Sequence, residues 1–151
     1  MQKEAIMVLD TCSHRNRGIR IELVYIEYLK PHEETIDEHV NELLRDITEK
    51  RVLIRPILVD EKTMTILDGH HRVEALRRLG ARYVPAILVD YDDDCIGVDT
   101  WKPGWRVTKS LVRFAATSGK LLPPRTSKHV TCFRIPELSI PLHILVERGD
   151  A

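Results

Sequence analysis

Five consecutive residues, Asp68-Gly69-His70-His71-Arg72, combine a carboxylate, a conformationally free glycine, two imidazoles and a guanidinium. They follow an apolar run and precede a helical pattern. A helix N-terminus presents amides without intrahelical acceptors and a partial positive charge, so a glycine turn entering a helix is suited to phosphate. His70, His71 and Arg72 add donors, and a guanidinium grips phosphate oxygens in bidentate fashion. Asp68, at the strand end, could hold a magnesium ion that bridges phosphates, one carboxylate plus substrate oxygens being a usual arrangement for that cation. The competing readings are that Asp68 caps the helix and that the histidines are surface residues. Zinc is disfavoured, because neighbouring side chains on a helix point about 100° apart.

A second set precedes it. Glu33, in the loop stretch His32-Glu33-Glu34, could take a proton from a hydroxyl if substrate came within hydrogen-bond reach. Acidic residues near a helix start are also favoured electrostatically, which gives Glu33 a purely structural alternative. Trp101 and Trp105 flank a Pro-Gly turn and suit either a pocket wall or core cover. The loop Pro124-Arg125-Thr126-Ser127-Lys128-His129 gathers hydroxyls and cations suited to a carboxylate or phosphate. Ser118-Gly119-Lys120 lacks the upstream glycine of a P-loop, where Phe114 stands instead.

The elements that must position these groups are legible in part. Arg20 to Tyr28 reads as a strand ended by Lys30-Pro31. Thr35-Ile36-Asp37-Glu38 matches a capping box. Ile36, Val40, Leu43, Leu44 and Ile47 then give the following helix one apolar face. Arg55 to Asp60 and Met64 to Leu67 form a predicted hairpin about Glu61-Lys62-Thr63. A helix is predicted from His70 to Leu79 with Gly80 at its C-terminal end, then a strand from Pro85 to Tyr91 and a helix from Thr108 to Ala116. Prolines 123, 124, 136 and 141 favour loops and short edge strands in the tail.

The 151 residues carry 23 basic and 23 acidic side chains, with 43% hydrophobic residues. That balance fits a single domain with one core and lowers the expectation of a polyanion partner. Cys12, Cys95 and Cys132 show no CxxC spacing, which argues against a disulfide framework or structural zinc and for a reducing, cytoplasmic setting. The apolar run Ala5 to Leu9 is too short for a signal-peptide core, and no membrane span is expected.

The stretch Lys30 to Tyr91, with Pro31-His32-Glu33 leading and Asp68 to Arg72 behind, resembles the ParB/sulfiredoxin fold, and within it the free L-serine kinases. Thr100-Trp101 is similar to that family's T-W-Y-P segment, and Pro124 to Val130 to its P-K-T-T-R-H-V segment. The likeness runs from about Val24 to Leu138. It implies an α+β fold, a small mixed sheet with flanking helices in one domain spanning 1–151, with a core at about 20–118 and a substrate-site segment at about 119–140. It implies magnesium-dependent phosphorylation of L-serine, with ATP or ADP as donor. Glu33 would be the base and Asp68 the acidic residue at the metal. Gly69, His70, His71 and Arg72 would cradle nucleotide phosphates, and Trp101, Thr126, Lys128 and His129 would surround serine. His39 stands where archaeal relatives carry a glutamate, and about two dozen residues replace a long extra domain between Trp101 and Arg125. Sulfiredoxin chemistry would need a cysteine in the phosphate turn, where this chain has His70. The remaining alternative is a ParB-like DNA-binding or nuclease module.

Overall fold

A computed structural model describes residues 3–10, 18–53 and 55–146. Five strands form one mixed sheet: β1 (Lys3–Asp10), β2 (Gly18–Tyr25), β4 (Ile57–Asp60), β5 (Thr65–Asp68) and β6 (Tyr83–Val89), in the order β1-β2-β6-β4-β5. β4 and β6 run parallel and the other neighbours antiparallel. β4 and β5 are the predicted hairpin, with the turn closed at Met64 in a left-handed conformation. The chain leaves β2 through a single 3-10 turn, Ile26–Tyr28, so the strand ends earlier than the apolar run to Tyr28 suggested.

Alternation along the central strands sends side chains to two faces. Ile57, Val59, Ile66, Val84, Ala86 and Leu88 join a cluster with Val40 and Ile47 of α1 (Asp37–Lys50) and with Val73 and Leu76 of α2 (His70–Arg78). Leu58, Leu67 and Ile87 point the other way, to Tyr91, Ile96, Val107 and Val112 of α3 (Lys109–Ser118). The expected single core is therefore two clusters, one on each face, because the strands are apolar on both sides.

α2 ends as its sequence predicts: the Gly80 amide donates to Arg77 and the Ala81 amide to Leu76, with Gly80 at φ +83°. α1 does not begin as predicted. Ile36 sits at its N-cap and no side chain caps it, so the Thr35/Glu38 box does not form. A tertiary contact meets the backbone there instead: the Ile36 amide donates to His71 Nε2 at 3.0 Å.

Two short ribbons complete the chain. β3 (Val52–Leu53) pairs with β9 (Ile140–Pro141), which leads into α4 (Leu142–Val146). β7 (Ile96–Thr100) pairs with β8 (Ser127–Thr131); β7 was not expected as a strand, and β8 is one of the short strands that the proline-rich tail favours. Cys95 and Cys132 flank this pair and are joined as a disulfide, correcting the expectation of free thiols. Their 37-residue separation carries no motif; antiparallel pairing alone sets them opposite one another. The bond removes the cysteine argument for a reducing setting, and Cys12 lies outside the described residues. Among the described residues, no helix is long and apolar enough to cross a membrane.

Candidate active site

The turn between β5 and α2 is built around Gly69. Its φ of +112° suits glycine, and a Cβ there would lie 2.4 Å from Ile57 Cγ2 and 2.9 Å from Ile57 Cβ. Glycine thus lets the turn sit directly on β4, aiming the first amides of α2 outward. Asp68 is exposed at the strand end, and the N-cap position is Gly69 with no side-chain cap bond, so Asp68 is not a cap.

His70 is buried and His71 half-buried, and both are engaged. His70 Nε2 accepts from the His32 amide at 3.1 Å, and His71 Nε2 from the Ile36 amide. Both therefore hold the loop that carries Glu33, with the ring proton on Nδ1. This refines the expectation that they serve as phosphate donors, since one nitrogen of each is committed to the loop. Burial, and then the neighbouring His32, pushes His70 down to about 3. Burial also lowers His71, helped by His39 and Arg125. Arg72 packs inward with Nη1 donating to the Pro56 carbonyl at 2.9 Å, which fixes the guanidinium beneath the turn.

Glu33 is buried to 8% exposure, and its Oε2 accepts from the Ser127 amide at 2.6 Å and the Ser127 hydroxyl at 2.5 Å. Burial pushes its carboxyl up, but hydrogen bonds involving His32 and Ser127 outweigh this and hold it down to about 2. His32, fully buried, packs edge-on against His70 at 4.5 Å between ring centroids.

Glu33, His39, Asp68, Gly69, His70, His71, Arg72 and Trp101 all line one cleft of ≈ 650 Å³, together with Arg55, Arg125 and Ser127. Arg125 Nη2 lies 2.7 Å from His39 Nδ1. Trp101 is 61% exposed, with Lys128 Nζ 4.6 Å from the centre of its ring.

Three predicted contacts are not among the residues lining the cleft: Lys128, which sits over the Trp101 ring, Thr126 and His129. Thr126 is fully buried and its hydroxyl donates to the Pro123 carbonyl at 2.7 Å. Its own carbonyl accepts from the Trp101 amide and Thr100 hydroxyl, so it places Trp101 rather than lining the cleft. His129 packs behind the site with Nε2 2.8 Å from the Tyr91 hydroxyl. Burial keeps that phenol protonated and therefore a donor. Burial also pushes His129 down to about 3.

Sequence reasoning did not assign His32, Ser127 or Arg125 to the site. Their signals were present, His32 beside the proposed base and the other two in the cationic loop, but nothing local says that residues 32 and 127 meet.

The ParB N-terminal domain family model matches residues 9–96, and the chain belongs to that family. It is 42% identical over 82 residues to a ParB-like protein of Sulfolobus acidocaldarius, covering 54% of this chain and 41% of that one. It is 31% identical over 93 residues to an ADP-dependent L-serine kinase of Thermococcus kodakarensis, covering 58% and 38%. The matched segment thus spans about four tenths of these relatives. A free serine kinase solved with AMP superimposes with a TM-score of 0.74 at 17% identity, over 82% of this chain and 92% of that one, which shows the shared α+β fold.

Proposed function

We propose that the protein phosphorylates free L-serine to O-phospho-L-serine, using a nucleotide and magnesium. The observation that carries this reading is that the buried carboxylate Glu33 and the helix-N-terminal turn Asp68 to Arg72 line the same cleft. Phosphoryl transfer needs aligned reactants and charge neutralisation more than covalent chemistry. The first amides of α2 and Arg72 would hold nucleotide phosphates, and Glu33 would orient the acceptor hydroxyl and receive its proton.

Magnesium fits the donor set in a specific sense. Among the described residues no three His, Cys, Asp or Glu side chains converge on one point, so a cation would rest on Asp68 and the donor's own phosphates. It would supply charge neutralisation on the transferred group. Trp101, Lys128, Arg125 and His39 would form the serine side of the cleft. Thr126 would act by fixing Trp101, and His129 by supporting the wall behind it. Either ADP or ATP would place its phosphates on the same turn. Free serine and nucleotide are cytoplasmic metabolites, which favours that compartment.

The DNA-binding or nuclease alternative has weaker support, because the relatives whose names state an activity are L-serine kinases, at 31–36% identity. The deciding experiment incubates the purified protein with L-serine, magnesium and either ADP or ATP and assays phosphoserine. Product with one donor supports the proposal. No product with either, alongside binding or cleavage of plasmid DNA, reverses it.

A further inference from the structure

We propose that Ser127 is a positioning residue that ties Glu33 to the buried imidazole of His32, its hydroxyl accepting from His32 Nε2 and donating to Glu33 Oε2. The inference rests on the kinase reading for its catalytic meaning, but its geometry stands on hydrogen bonds alone.

Proton counting fixes the arrangement. His32 Nδ1 lies 2.7 Å from the Ile66 carbonyl, which can only accept, so Nδ1 carries a proton. His32 Nε2 lies 2.8 Å from Ser127 Oγ, and Ser127 Oγ lies 2.5 Å from Glu33 Oε2. A hydroxyl has one proton for these two contacts. The second must come from His32 Nε2 or from a protonated Glu33. Oε2 also accepts the Ser127 amide at 2.6 Å, and Glu33 is held down to about 2, so its carboxylate is ionised and carries no proton to give. The second proton therefore sits on His32 Nε2, making the ring an imidazolium 3.6 Å from Glu33 Oε2.

The surroundings accommodate that charge. From α2, His70 presents Nε2 as an acceptor to the His32 amide, and from β8 the His129 ring stands 5.7 Å away, engaged with Tyr91. Glu33 is the one carboxylate in contact with His32 among the described residues. A buried pair of this kind persists when it is well hydrogen-bonded; here both His32 ring nitrogens and Glu33 Oε2 have partners.

The consequence for transfer is directional. With Oε2 held by Ser127, Oε1 has no donor among the described residues and is left for the acceptor hydroxyl. As the serine oxygen bonds to phosphorus and the bond to the nucleotide's leaving oxygen breaks, the hydroxyl proton passes to Glu33 Oε1. The protons on Ser127 and His32 stay where they are.

The test compares wild type, Ser127→Ala and Ser127→Thr in three readouts: kcat and KM for serine phosphorylation, the pH profile of kcat, and ¹⁵N resonances of the His32 ring. Ser127→Ala is expected to lower kcat about 10–100-fold, the effect of one charge-assisted hydrogen bond, with KM for nucleotide unchanged. It should move the acid limb upward and remove the doubly protonated His32 signature. Ser127→Thr, which keeps the hydroxyl, should restore all three. Wild-type kcat and acid limb in Ser127→Ala overturn the proposal. So does a wild-type His32 with a single protonated nitrogen, a measurement that requires neither a folded variant nor turnover. If wild type makes no phosphoserine, the kinase reading fails and the ¹⁵N result still decides the triad.

Discussion

Replacing Gly69 by alanine should damage the protein through two separable costs. At φ +112° an L-residue is strained, by about 1–2 kcal/mol on the scale of left-handed backbone. The new methyl would also lie 2.4 Å from Ile57 Cγ2, deep inside contact distance and against a fully buried β4 residue that has no room to retreat. Overpacking of this kind costs about 1–3 kcal/mol. The sum is roughly 2–5 kcal/mol. For a chain of this size each kcal/mol lowers Tm by about 2–4 °C, so thermal unfolding should fall by roughly 4–20 °C. Urea unfolding should show a lower midpoint with an unchanged slope. Ile57→Ala removes Cγ2 but keeps Cβ at 2.9 Å, so in a double-mutant cycle it should recover a share of the steric part, on the order of 1 kcal/mol, and leave the rest with the backbone part. Nucleotide affinity should drop in Gly69→Ala because the turn can no longer rest on β4. A stability loss below about 0.5 kcal/mol, or full additivity with Ile57→Ala, would refute the reasoning.

Glu33→Gln and Asp68→Asn should each reduce serine phosphorylation by about 10²–10⁴-fold while circular dichroism stays native; full activity in either variant removes its assigned role. Stability should decline in acid. Unfolded histidine takes a proton near pH 6.5, whereas buried His70 and His129 resist it until about 3, so between these values the unfolded state binds more protons. Each contributes a loss of up to about 1.4 kcal/mol per pH unit there. Glu33 adds stability that is present above its unfolded value near 4.5 and is lost as pH falls towards about 2. Urea midpoints that stay flat from pH 7 to pH 4 would contradict this. Reducing Cys95–Cys132 should cost about 3–4 kcal/mol from the 37-residue separation it closes, read as a fall in Tm with dithiothreitol; an unchanged Tm counts against the bond.

Much of this protein is written in short stretches of its sequence. The hairpin from residue 57 to 68, the amphipathic α1 and α2 and the Gly80 stop follow from period, turn residues and caps, which are local physics. The nucleotide turn is legible for the same reason: a strand end, Gly69 and Arg72 lie within five residues. Three things were decided by tertiary structure. The α1 N-terminus starts at Ile36 without its capping box, and the Ile36 amide is bound by His71, 35 residues away. Cys95 and Cys132 meet because β7 and β8 pair, and although β8 alternates in burial, its residues Ser127 to Thr131 carry no apolar alternation to announce it. His32, Glu33 and Ser127 meet across 94 residues, and the resulting proton arrangement depends on distances that no spacing encodes. Residue types set which chemistry the cleft can hold, because a carboxylate, an imidazole and a glycine have fixed capacities. Long-range packing decided which atoms of those groups are already occupied and which are left for substrate.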